Sequence, residues 1–175
     1  MAQVTSSQAA TVTLPADEQI LITREFDAPR HLVYKAYTTP ELVRRWWSGQ
    51  RGAMTVVEID LRVGGMWRYV MLAHGEFEVA FHGEYREIVE DERIVTTEVY
   101  EGMPDSEGAL DTITFSERDG RTTLSILMEL PTKADRDMVL ETGMETGMQE
   151  QMDLLEELVT VTSAPHSEGV SPVQE

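Results

Sequence analysis

The sequence predicts an α+β fold: a curved antiparallel sheet of about seven strands wrapped around a long C-terminal helix, with two short helices after strand one. Three observations predict it. Residues 133–160 hold one amphipathic pattern. Stepping about 100° per residue puts Leu140, Met144, Gly147, Met148, Leu155 and Leu158 on one side, with Leu154 at one edge and Met152 and Val159 at the other. Glu145, Gln149, Glu150, Asp153, Glu156 and Glu157 take the opposite arc. A helix this long and one-sided needs a broad apolar surface, and no other segment is a comparable helix, so the surface is a sheet. The upstream segments alternate in polarity and are joined by short turns, which makes neighbouring strands antiparallel. Each strand has one apolar and one charged face, so the sheet is covered on one side.

In chain order, residues 19–27 (QILITREFD) alternate as the opening strand and Ala28-Pro29 breaks it. Residues 30–37 read as a short helix with Pro29 near its first turn. Thr39 and Pro40 supply an N-cap and a first position for a second helix over 41–47. Strands follow at 54–61, 66–73, 77–90, 93–100, 110–117 and 121–130. Their turns are marked by Val63-Gly64-Gly65, His74-Gly75, Asp91-Glu92, the loop 102–108 and Arg118-Asp119-Gly120. In the clearest strand Phe77, Val79, Phe81 and Tyr85 face one way, and Glu78, His82, Glu84 and Arg86 the other. Pro131 closes the sheet.

The 175 residues fit one domain over 19–160, with small polar residues 1–18 and the Pro/Ser/Gly-rich tail 161–175 reading as disordered. No apolar run approaches a membrane span, and the N-terminus lacks the pattern of a signal peptide. The net charge of −18 argues against nucleic acid and against anionic membranes. The absence of cysteine excludes disulfides and thiolate chemistry and fits the cytoplasm. Oligomeric state, a homodimer included, is left open.

Several linked motifs stand in one order: Asp27-Ala28-Pro29; Thr38-Thr39-Pro40-Glu41 leading to Trp46-Trp47; Asp60, Arg62, Gly64, Gly65 and Trp67; Gly83-Glu84-Tyr85 with Glu87-Ile88; and Glu92-Arg93. Over about residues 19–160 the chain resembles the family of homologues of the activator of heat-shock-protein-90 ATPase, within the START-like, helix-grip SRPBCC superfamily. The resemblance implies the helix-grip fold. Relatives of that fold bind sterols, lipids, polyketides or plant hormones, and some are cyclases. The family usually has Gly-Trp in the final helix, where this chain has Gly143-Met144 and Gly147-Met148. Methionine softens and enlarges that part of the interior.

The function expected is binding of a small hydrophobic molecule between sheet and helix. Met144, Met148 and Met152 form either ordinary core or an adaptable wall. Gly143 and Gly147 each cost a helix interior about 1 kcal/mol, which space for a ligand would explain. Phe77, Phe81 and Tyr85, with Trp67 or Tyr69, form the opposite wall; the alternation does not settle which way Trp67 and Tyr69 point. Of Trp46 and Trp47, one is expected in the core and one at the mouth. Gln151 lies within the apolar arc and needs a partner, either the sheet (Thr96, Thr112 or Thr114) or a ligand. Asp60 and Arg62 are expected to pair across a turn. The four histidines lack metal-site spacing, no cofactor is expected, and no catalytic motif is present. Glu98 and Glu129 are carboxylates able to lie inside. Two alternatives stand: an enzyme of polyketide cyclase or hydrolase type using the same cavity, and a chaperone-associated interaction protein.

Overall fold

The computed structural model describes residues 9–163. The element order is β1 (Thr11–Thr13), β2 (Gln19–Phe26), α1 (Arg30–Thr38), α2 (Pro40–Val43), β3 (Gly52–Ile59), β4 (Met66–Ala73), β5 (Phe77–Val89), β6 (Arg93–Tyr100), β7 (Ala109–Arg118), β8 (Arg121–Glu129), α3 (Lys133–Glu141) and α4 (Met144–Ser163). All eight strands join one antiparallel sheet in the order β1-β2-β8-β7-β6-β5-β4-β3. The chain closes on itself by setting β2 against β8, and α4 lies over one face, as a helix-grip fold requires.

Seven strands fall where the alternation puts them. The eighth corrects the expectation for residues 1–18: Thr11–Thr13 pairs with Leu21–Thr23 as an edge strand. Residues 1–8 and 164–175, the outer parts of the two expected disordered segments, lie outside the described residues. Gln149 of α4 holds the start of β1, accepting from the Ala10 amide at 3.0 Å and donating to the Ala10 carbonyl at 2.7 Å.

Period-two alternation builds the covered face. Ile20, Ile22, Arg24 and Phe26 of β2 meet Leu124 and Ile126 of β8 and Ile113 and Phe115 of β7, all buried. Leu155 and Val159 of α4 close over this layer at 0% and 1% exposure, and each such side chain contributes about 1.5–3 kcal/mol by leaving water. α1 adds Val33, Tyr34 and Ala36. α2 is shorter than expected: Pro40 takes the first position, Thr39 makes no side-chain cap, and the chain leaves the helix after Val43. The Trp46 indole then ties this corner to α1 by donating to the Ala36 carbonyl at 3.0 Å.

The largest departure is in the C-terminal helix, which is two helices. Thr132 caps α3 by accepting from the Asp135 amide, α3 stops at Glu141, and Gly143 turns the chain at φ 76° before α4 starts. Only glycine enters the left-handed region freely. The apolar stripe keeps its phase across the break, so its periodicity alone reads as continuous.

The polar arc of α4 is also less free than its pattern suggests. Asp153 accepts from Arg24 at 2.8 Å, Glu156 accepts from the same guanidinium, and Glu150 accepts from the Gln50 amide at 3.3 Å.

Candidate functional site

The inner ends of β4, β5 and β6, together with the corner after α2, gather most of the expected aromatic side chains. Trp67 and Tyr69 both turn inward and are buried. Trp67 lies across Gly83, where a Cβ would stand 2.5 Å from the indole nitrogen, so this crossing demands glycine. The indole N–H donates to Thr96 Oγ1 at 2.7 Å. Tyr85, two residues beyond Gly83, is buried, and its hydroxyl is hydrogen-bonded to that of Tyr69.

The paired tryptophans divide: Trp46 is core, and Trp47 is half-buried. The Trp47 ring meets Tyr69 at 5.4 Å and Phe81 at 5.5 Å, both nearly edge-on, a favoured arrangement of ring quadrupoles. Half-buried Phe81 continues to Tyr100 at 5.2 Å. From the helix side, Met148 and Met152 are buried and Met144 is half-buried.

Four expectations for this region change. Phe77 is 54% exposed at the outer start of β5; its alternation phase matches Phe81, but it sits beyond the part of the strand that the interior covers. Gly143 provides the turn between helices, and a Cβ there would meet nothing within 4 Å. Gly147 leaves no gap for a ligand: a Cβ there would stand 2.6 Å from Arg51 Cζ, so the arginine fills the space. Gln151 is half-buried and donates to the Trp47 carbonyl, a partner outside the sheet. Asp60 and Arg62 pair across their turn at 2.8 Å, as expected.

The residue that sequence reasoning missed is Asp111. Strand pairing sets Tyr85 opposite Thr96 and Thr96 opposite Asp111, so all three side chains share the inner face. Asp111 is 4% exposed, and its Oδ1 has no hydrogen-bond donor among the described residues. Desolvation, then the charge and hydrogen bond of Glu98, hold its carboxyl well above the usual carboxylate range. The neighbouring phenols feel the same environment. Tyr37 of α1 is pushed up by burial, then by Asp111 and Glu98. Tyr69 is pushed up by burial, then by Tyr85, Tyr37 and Glu98. The signal was present in the sequence: Ile113 and Phe115 are inward, and counting back by two reaches Asp111.

Two clefts lie elsewhere. One of about 210 Å³ runs between α1, α2 and the end of α4, lined by Leu32, Leu42, Leu158 and Val159 among others. A second, of about 360 Å³, lies by His31, Tyr34, Leu61 and Asp91. Neither is lined by an expected ligand residue. No helix among the described residues is long and apolar enough to cross a membrane.

The family model for Activator of Hsp90 ATPase homolog 1-like protein matches residues 27–160. None of the curated proteins compared matches the chain. Among solved structures, a Rhodobacter sphaeroides protein aligns with TM-score 0.81 at 21% identity, covering 88% of this chain and 99% of that one. A Mycobacterium smegmatis protein aligns with TM-score 0.79 at 24% identity, covering 91% and 100%. A Chromobacterium violaceum protein is 30% identical, with TM-score 0.70 over 81% of this chain and 96% of that one.

Proposed function

Because this chain belongs to the Activator of Hsp90 ATPase homolog 1-like family, whose fold commonly binds hydrophobic ligands, we propose that it binds a small hydrophobic molecule between the sheet and α4. The observation that carries the reading is the pair of half-buried rings, Trp47 and Phe81, standing 5.5 Å apart, with Trp47 also 5.4 Å from buried Tyr69. Large apolar rings left partly open to solvent beside a buried polar group suit a recognition wall. The volume comes from side-chain movement, because the space over Gly147 is already filled by Arg51. Met144, Met148 and Met152 are the flexible, polarizable side chains suited to yield it. The ligand-lining set is Trp47, Trp67, Tyr69, Phe81, Tyr85 and these methionines.

The test is native mass spectrometry of the purified protein, with identification of any small molecule it retains. The expected result is an apolar compound displaced when Trp47→Ala is made. Retention unaffected by that substitution, or no uptake of any apolar compound by the wild type, overturns the reading.

One observation favours a second reading. Asp111, buried and held above the usual carboxylate range, is an inward acid of the kind that a cyclase or hydrolase would use. Turnover of the retained compound, lost in Asp111→Asn, distinguishes this from carriage alone. The chaperone-associated role rests on the family name only.

A further inference from the structure

Resting on that binding reading, we propose that the carboxyl pair Asp111 and Glu98 is a subsite for a protonated amine, so that the ligand is an aromatic or otherwise apolar molecule carrying one ammonium group.

Three features of the interior point to this chemistry. Asp111 Oδ1 is enclosed and lacks a donor among the described residues, an unmet buried acceptor is costly, and an ammonium brings three donors. Among the described residues, no arginine, lysine or histidine forms an ion pair with either carboxyl. The fold therefore gives its inner carboxyls no counter-ion, although Arg24, another inward-facing charge, receives two acidic partners. The third feature is the wall itself. Trp47, Tyr69 and Phe81 pack as one cluster, Trp67 beside Tyr69 donates to Thr96, and Thr96 stands opposite Asp111 and two residues before Glu98. Aromatic rings attract a cation placed over their faces.

The groups that face the Asp111 carboxyl are Glu98 on β6 and the phenol of Tyr37 on α1, while Tyr69 on β4 and Tyr85 on β5 are bonded to each other in the same interior. The phenols are neutral at physiological pH, and burial raises them further. They offer hydrogen bonds without competing for a positive charge. An incoming ammonium favours the ionised form of Asp111, whose proton passes to solvent. A carboxylate ligand meets repulsion in the same place.

The experiment compares three probes of one shape, 1-naphthylmethylamine, 1-naphthalenemethanol and 1-naphthoic acid, titrated calorimetrically into the full chain at low salt. The amine is expected to bind about tenfold tighter than the alcohol, with the acid weakest. The amine-to-alcohol ratio falls in Glu98→Gln and in Asp111→Asn, and in the wild type it falls as pH is lowered into the carboxylate range. The wild-type pH series holds whether or not a variant folds. Equal affinities for amine and alcohol, or a ratio untouched by pH, overturn the amine assignment and leave the binding reading standing. Absence of binding by all three probes overturns both.

Discussion

Arg24 Nη1 on β2 lies 2.8 Å from Asp153 Oδ1 on α4, with the arginine side chain wholly enclosed and the aspartate 58% exposed. The contact fixes the helix over the sheet at a point where apolar packing alone would let it slide. Glu156, one turn further, takes the second nitrogen, and Phe26 lies under the guanidinium at 5.5 Å.

Breaking this arrangement has a graded cost. Arg24→Ala removes both the ion pairs and the volume, and is expected to destabilise by roughly 2–4 kcal/mol. Arg24→Met keeps the volume and leaves Asp153 to solvent but strips Glu156, 19% exposed, of its partner, and is expected to cost less than Arg24→Ala. Urea denaturation measures both; equal losses show that charge pairing, not filled space, dominates the site.

The two glycines at the α3–α4 region respond in opposite directions. Gly143→Ala forces a side chain into φ 76° and is expected to destabilise by about 1 kcal/mol. Gly147→Ala meets only the movable tip of Arg51 and gains helix propensity, so it stabilises by about 0.5 kcal/mol. Shifts of the same sign in denaturation midpoint contradict the assignment of one glycine to a turn and the other to a helix interior.

Asp111 makes stability depend on pH. Its folded value is raised, so the native state holds the proton more tightly than the unfolded chain does. This contribution is full below the ordinary carboxylate value and is lost as pH rises through the raised folded value. Asp111→Asn removes the dependence. At neutral pH it is expected to gain about 1–3 kcal/mol, and in acid the advantage shrinks. Melting curves across the pH series decide it; a constant gap between variant and wild type excludes a raised Asp111.

Trp47 and Phe77 give the matched pair for the binding wall. Trp47→Ala is expected to weaken uptake of a naphthalene probe by about tenfold or more, a ring-sized loss of contact. Phe77→Ala, far more exposed, is expected to leave affinity within about twofold. Titration calorimetry of the two variants reads the difference, and equal losses place the wall elsewhere.

The alternation of Ile20, Ile22 and Phe26, or of Ile113 and Phe115, fixes which face of a strand is covered, and the sheet was readable on that basis. The same count places Arg24 and Asp111 inside, yet their charge disguises them, because polarity marks an exposed position for most residues. Residues Thr11–Thr13 were hidden for the opposite reason: a three-residue strand is too short for a pattern. Trp46 and Trp47 were separable only as a pair, since sequence shows that adjacent residues diverge but not which one meets Ala36. The Gly147 contact with Arg51 joins residues about a hundred positions apart in the chain, and no local signal carries it. Phe77 shows the remaining limit: period gives the face, while the length of strand that the helix covers is a tertiary property.

The left-handed residue before α4 also separates two grades of cohesion. α3 buries only Arg136 among its nine residues, sets Val139 and Leu140 partly buried against the core, and is tied by the Thr132 cap and the bond from Arg136 to the Ala16 carbonyl at 3.1 Å. α4 sets Met148, Met152, Leu155, Leu158 and Val159 into the core. An unbroken rod would open as a unit; with the joint, amide protons of α3 exchange through a local fraying that leaves α4 seated, and those of α4 wait for the whole domain to open.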